Sequence, residues 1–239
     1  MRDFLPRIGL YSTTGTNCSV KALKLIIGRL AFPAHSFAPL LSSETRNPLI
    51  IFSHGLAGTR HTYTQYCSAL ASRGYIVLAV EHRDGSAPAV TLPSTTDTEG
   101  KELQRVLGYI KKDEIVWGEG ETGTLEKFRT AQLEMRVREV YEAFYSFKRI
   151  VAGDVTGLTF EKLHDEKRKD WLESIREKVD FGKVDLTGHS FGAGTIVGAF
   201  ELNFLPVVLM SSFTSSTLPY QTRHTRVCQW VELSLLTHG

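Results

Sequence analysis

Lys183-Val184-Asp185-Leu186-Thr187 runs into Gly188-His189-Ser190-Phe191-Gly192 and on into Ala193-Gly194-Thr195, and this stretch leaves the backbone few options. An apolar run, a turn with glycine two positions before and after a serine, and a small-residue segment over 193–200 predict a buried strand, a sharp turn and a helix. In a G-x-S-x-G turn of this kind the serine sits in strained backbone with its hydroxyl clear of the chain. A side chain at Gly188 or Gly192 would collide with the neighbouring strand or helix. Gly194 is expected to let the helix lie close to the sheet. The three fixed positions alone recur by chance in about one chain in twelve, so the flanking strand and helix carry the argument. They make Ser190 a candidate nucleophile rather than a helix cap.

Upstream, Leu49-Ile50-Ile51-Phe52-Ser53 is a short, continuous apolar run that ends in His54-Gly55-Leu56-Ala57-Gly58. Such a run predicts a strand buried on both faces that opens into a functional loop. Tyr63, Tyr66, Cys67 and Leu70 fall at helical spacing within 59–73, and Gly74 follows as a C-terminal cap. Tyr75-Ile76-Val77-Leu78-Ala79-Val80 is a second buried strand. Strand, helix and strand with short connections form a parallel, right-handed unit, which sets the class as α/β. The strands at 75–80 and 183–187 are expected to pair.

Leu133, Val137, Val140, Phe144, Phe147 and Val151 alternate steps of four and three, predicting a helix of about five turns with one apolar face. That face is read as packed on the sheet, with a lid or a lipid-facing surface as the alternative. A second helix is expected over 170–178, with Trp171, Ile175 and Val179 on one side. The Pro, Gly, Ser and Thr content of 90–101 and 118–124 marks loops, and 206–210 reads as one more strand. Leu103, Val106, Leu107 and Ile110, with Ile115, Val116 and Trp117, are read as core, the alternative being peripheral contact with a lipid surface. Residues 1–47 carry no readable function.

At 239 residues with 42% hydrophobic and 23% charged positions, the chain has the composition of an ordinary soluble protein, expected as a single domain over 1–239. A net charge of +2, with basic and acidic residues interleaved, argues against nucleic acid as a partner. Cys18, Cys67 and Cys228 are too few and too scattered for a disulfide framework or a zinc site, which points to a reducing compartment. Asp3 and Pro6 interrupt the start of the chain where a secretory signal needs an apolar run, and no window approaches the roughly 18 apolar residues of a spanning helix. The expectation is a soluble, cytoplasmic protein.

A serine hydroxyl becomes a nucleophile when a neighbouring base takes its proton and a carboxylate holds that base in one tautomer. The tetrahedral oxyanion then needs two backbone N–H donors, one from the residue after the nucleophile and one from the loop after an early strand. Here those are Phe191 and, within 54–58, Leu56. His189 is expected to point away from Ser190, and His54 and His82, at strand ends, read as structural. On the fold that carries this turn, the order along the chain is Ser, acid, His. Glu201 and Glu232 are the acids, and His224 and His238 the histidines, that follow Ser190. Glu201 lies on the helix after the turn and cannot reach around to a base. The one ordered set is Ser190, Glu232 and His238, which fits poorly because each partner belongs on its own strand-end loop.

Ile51-Phe52-Ser53-His54-Gly55-Leu56, Val80-Glu81-His82-Arg83-Asp84-Gly85-Ser86-Ala87, the helical block over 109–147 and Gly188-His189-Ser190-Phe191-Gly192-Ala193 together resemble the platelet-activating factor acetylhydrolase family over roughly 48–197. The resemblance implies an α/β-hydrolase fold, a mostly parallel sheet flanked by helices, with a recognisable core over 48–200 and a helical insertion over 86–180. It implies a serine esterase that hydrolyses the sn-2 acetyl or short acyl ester of a phospholipid substrate through an acyl-serine, with no metal and no cofactor. Carried over, Ser190 is the nucleophile and Leu56 and Phe191 supply the oxyanion N–H groups. His82-Arg83-Asp84 match a family motif to which no catalytic role is assigned. In the family a strand after the elbow helix ends in an Asp, and a His follows much later. Ser211 and Ser212 stand where that acid belongs, so the last strands are expected to be missing or atypical and 201–239 to depart from the family. Two further readings stay open: an inactive hydrolase fold that binds a lipid or a partner, and a general carboxylesterase or lipase.

Overall fold

Leu49, Ile50, Ile51 and Phe52 are all buried because the strand carrying them has a helical layer on each side. The computed structural model describes residues 45–201 apart from 97, 99, 101, 119, 121 and 158–164. In chain order its elements are β1 (Asn47–Ser53), α1 (Thr64–Ala71), β2 (Ile76–Val80), β3 (Ala89–Thr96), β4 (Glu102–Gly108), a 3-10 turn (Lys112–Glu114), α2 (Leu125–Val151), α3 (Asp165–Ile175), β5 (Val179–Gly188) and α4 (Phe191–Glu201).

Side chains alternate along a strand, so β1 feeds two cores. Leu49 and Ile51 join Ile76, Leu78, Val140, Phe144, Phe147 and Val184 on one side of the sheet, while Ile50 and Phe52 join Cys67, Ala71, Val77 and Ala79 on the other. The helix at 133–151 therefore packs on the sheet, as its apolar stripe predicts, and α1 covers the opposite face. Gly74, at φ +94, closes the α1 segment in the left-handed conformation that its capping position requires.

The sheet order is β2-β1-β5, with both neighbours parallel to β1. The expected pairing of 75–80 with 183–187 does not occur, because β1 lies between them. The strand that is apolar on both faces takes the centre, where both faces are covered. Ser53 is in register with Val80 on one side and Gly188 on the other. Loop 54–58, loop 81–86 and the turn at 188–190 thus leave the sheet at one edge. The chain order reverses there, which is where an open α/β sheet forms its crevice.

Several boundaries differ from expectation. α2 begins at Leu125, where the Thr124 side chain accepts the Lys127 N–H at 3.2 Å, and runs 27 residues rather than five turns. α3 begins before residue 170 and stops at Ile175, and Val179 opens β5 instead of sharing a helical face, although both side chains enter the same core. Of the segment expected as a loop, 90–101, residues 90–96 are strand instead. β3 and β4 form an antiparallel hairpin whose register shifts between Leu92 and Thr95. The stretch 86–180, expected to be helical, thus contains the strands β3 and β4. Val106 is 57% and Val116 96% exposed, so neither belongs to a core. Among the described residues, no helix is long and apolar enough to cross a membrane.

Candidate active site

β5 ends at Gly188 and α4 starts at Phe191, leaving two residues to turn the chain. Ser190 makes that turn at φ +54, in the left-handed region that non-glycine residues enter only when their surroundings impose it. Its side chain is exposed, and its carbonyl accepts the Ala193 N–H at 2.9 Å, starting the helix. The two glycines are there for space. A Cβ on Gly192 would lie 2.1 Å from the Ser53 carbonyl oxygen, and one on Gly188 would lie 2.5 Å from the Gly192 carbonyl oxygen. Gly194 is different: a Cβ there meets only Leu133 on α2 at 3.6 Å, an ordinary contact. The expectation that Gly194 brings the helix close to the sheet is corrected; Gly192 does that.

The loop after β1 lies against this turn. The His189 N–H donates to the Ser53 carbonyl at 3.2 Å, and a Cβ on Gly55 would come within 3.1 Å of the His189 carbonyl oxygen. His189 turns its Nδ1 to the Tyr63 hydroxyl at 2.8 Å. Within the loop, Ala57 sits at φ +55 and donates its N–H to the Ser86 carbonyl at 2.8 Å. Leu56 is exposed, and among the described residues neither its backbone N–H nor that of Phe191, the first of α4, has an acceptor. An exposed serine hydroxyl beside a loop and a helix start that each offer an unused N–H is an arrangement suited to attacking a carbonyl and holding the resulting oxyanion.

Beneath it lies a polar network that sequence reasoning did not find. Arg136, fully buried on α2, donates from Nε to Asp84 Oδ2 at 2.7 Å, from Nη1 to the His54 carbonyl at 2.7 Å and from Nη2 to Ser86 Oγ at 2.5 Å. Ser86 Oγ in turn donates to Asp84 Oδ1 at 2.6 Å, and Gln132 Nε2 donates to the Asp84 carbonyl at 2.9 Å. Burial lowers the Arg136 pKa from its ordinary value, and the Asp84 carboxylate opposes that shift. Gln132, Arg136 and Glu139 recur at steps of four and three beside the apolar stripe of α2. In sequence they are indistinguishable from a solvated helix face.

Ser53, His82 and Glu139 stand in a serine–histidine–carboxylate line, with Ser53 Oγ 2.8 Å from His82 Nε2 and His82 Nδ1 2.9 Å from Glu139 Oε2. Exposures of 0%, 0% and 5% keep substrate from it. Burial, reinforced by the Arg136 charge, pushes the His82 imidazole well below its ordinary range, so it is neutral, donating from Nδ1 to Glu139 and accepting the Ser53 hydroxyl. Burial also raises the Glu139 carboxyl, against the opposing pull of Arg83, which donates to it from its backbone N–H and from Nε at 3.0 Å each. His54 is likewise buried, with Nε2 accepting the His82 N–H at 3.3 Å. His54 and His82 are structural, as their strand-end positions suggest. Glu232 and His238 lie outside the described residues.

The family model described as "Platelet-activating factor acetylhydrolase, isoform II" matches residues 5–213. The chain belongs to this family. The platelet-activating factor acetylhydrolase of Gallus gallus is 32% identical over 173 residues, 72% of this chain and 39% of its own length. That of Bos taurus is 33% identical over 199 residues, 80% of this chain and 40% of its own, and that of Cavia porcellus 31% over 194 residues. The chain thus spans about two fifths of the length of the curated relatives it matches. The match to the family model extends beyond 48–197 at both ends, taking in most of residues 1–47 and the residues up to 213.

Proposed function

We propose that the protein is a serine esterase that hydrolyses the sn-2 acetyl or short acyl ester of platelet-activating-factor-like phospholipids through an acyl-Ser190 intermediate. The observation that carries this reading is Ser190 itself, exposed at φ +54 on a G-x-S-x-G turn, in a chain of the acetylhydrolase family. In the proposed reaction Ser190 Oγ attacks the ester carbonyl as a base takes its proton, and the N–H groups of Leu56 and Phe191 hold the tetrahedral oxyanion. The lysophospholipid alcohol leaves with a proton, and water then releases the acyl group from Ser190. Loss of one oxyanion donor typically raises the barrier by about 3–4 kcal/mol. His54 and His82 are committed to buried partners and His189 to Tyr63, so we assign the base to none of these three. The scheme uses no metal and no cofactor.

The test is release of acetate from a 1-alkyl-2-acetylglycerophosphocholine by the full-length protein, with Ser190→Ala in parallel. Turnover abolished by the substitution supports the reading. Absence of Ser190-dependent turnover points instead to an inactive hydrolase fold that binds a lipid or a partner. Equal turnover of simple p-nitrophenyl esters would favour a general carboxylesterase. Val116 and Val106, exposed on or near the β3–β4 hairpin, favour contact with a lipid surface, and we expect Val116→Asp to reduce co-sedimentation with phosphatidylcholine liposomes.

A further inference from the structure

One buried side chain touches both segments whose N–H groups the proposed reaction uses. Arg136 Nη1 donates to the carbonyl of His54, two residues before Leu56, and its guanidinium carbon lies 4.7 Å from the centre of the Phe191 ring. Through Nη2 it also holds Ser86 Oγ, and the Ser86 carbonyl accepts the N–H of Ala57, the residue after Leu56. The strained φ of Ala57 is therefore imposed from Ser86, on the far side of which Asp84 and Arg136 are paired at 2.7 Å. Leu56 is bracketed: the carbonyl two residues before it and the N–H just after it are fixed by one network, and among the described residues its own N–H has no acceptor.

We propose that Arg136 is a positioning residue that locks loop 54–58 against the elbow, so that the N–H groups of Leu56 and Phe191 converge on one oxyanion. This rests on reading Ser190 as the nucleophile. A buried ion pair kept for stability alone is readily replaced by apolar side chains, because desolvation offsets much of its attraction. No apolar side chain could hold a carbonyl, a hydroxyl and a carboxylate at once. Lysine has three donors too, but all radiate from one nitrogen on a flexible stem, whereas the planar guanidinium presents its donors from three nitrogens in fixed directions and also stacks on a ring. Arg136→Lys therefore keeps the charge and removes the geometry.

The experiment compares full-length wild type with Arg136→Lys by amide hydrogen exchange over 54–58 and by steady-state kinetics on an acetyl phospholipid, with active sites counted by titration. A positioning role predicts exchange at Ala57 and Gly58 faster by at least about tenfold while β1 and β2 hold. It also predicts kcat lower by about 10- to 100-fold with KM within about twofold. Loop exchange unchanged in the folded variant, or an effect confined to KM, overturns the proposal. If Arg136→Lys does not fold, Ser86→Ala, which leaves the ion pair intact, must still loosen the loop and lower kcat by about threefold; an unchanged loop overturns the proposal there too. If wild type shows no Ser190-dependent turnover, the functional reading falls, and loop exchange alone then decides whether Arg136 holds 54–58.

Discussion

Gly192 and Gly194 sit two residues apart at the start of one helix, yet adding a methyl group to each should have opposite effects. At Gly192 the new Cβ would fall 2.1 Å from the Ser53 carbonyl oxygen, 2.7 Å from its carbon and 2.8 Å from the His54 carbonyl oxygen. All three are backbone atoms of β1 and the loop after it, so no rotamer change relieves the clash. Reaching even the shortest Cβ contacts seen in proteins requires α4 to move about 1 Å from the sheet. That motion also opens the packing of α4 on β5 and β1, so Gly192→Ala combines overpacking with lost burial and should destabilise by about 3–5 kcal/mol. At Gly194 the Cβ meets Leu133 at 3.6 Å, and helix propensity alone acts, so Gly194→Ala should stabilise by about 0.5–1 kcal/mol. Urea unfolding of the full-length protein, followed by far-ultraviolet circular dichroism, measures both. A Gly192→Ala protein within about 1 kcal/mol of wild type would refute the reasoning, since the close approach of α4 to β1 is its only premise.

Stability should depend on pH through His82. Its imidazole is held well below 6.5 in the fold, so at pH values under about 6.5 the unfolded chain binds a proton that the native protein does not. That contribution is fully present above 6.5 and is lost as pH falls, at up to about 1.4 kcal/mol per pH unit. Glu139, with its carboxyl raised, acts in the opposite sense, losing stability as pH rises from 4.5. The difference between wild type and His82→Asn in urea midpoints from pH 5 to 8 isolates the histidine, and parallel profiles would contradict the buried neutral assignment. Burial pushes the Cys67 thiol up to about 12, so it should resist iodoacetamide at pH 8 in the native protein and react on unfolding. Rapid native labelling mapped to Cys67 would show that α1 does not cover this side of the sheet.

What the sequence conveyed depended on whether a residue's role was local. β1 and β2 were legible because a strand buried on both faces is apolar at every position, and Ser190 because its turn demands two glycines at fixed offsets. The partner of β2 was not legible, since pairing is decided by which strand takes the covered centre of the sheet. The β3–β4 hairpin was hidden by its composition, because Pro93 and the Ser and Thr around it also describe a loop. Arg136, Gln132 and Glu139 were hidden for a different reason. Polar residues at helical spacing are ordinarily solvated, and only tertiary structure shows that Asp84, Ser86 and the His54 carbonyl are their partners. The signal that was present lay in His82-Arg83-Asp84, a charged cluster directly after an apolar strand, where a buried network must supply partners.

The central claim is that Ser190 is a nucleophile. Its most direct test is to treat the folded, full-length protein with a fluorophosphonate and locate the adduct by peptide mass spectrometry. The account predicts one stoichiometric adduct on Ser190, absent from denatured protein. No adduct on Ser190 in a protein shown to be folded, or labelling that persists after denaturation, would contradict it.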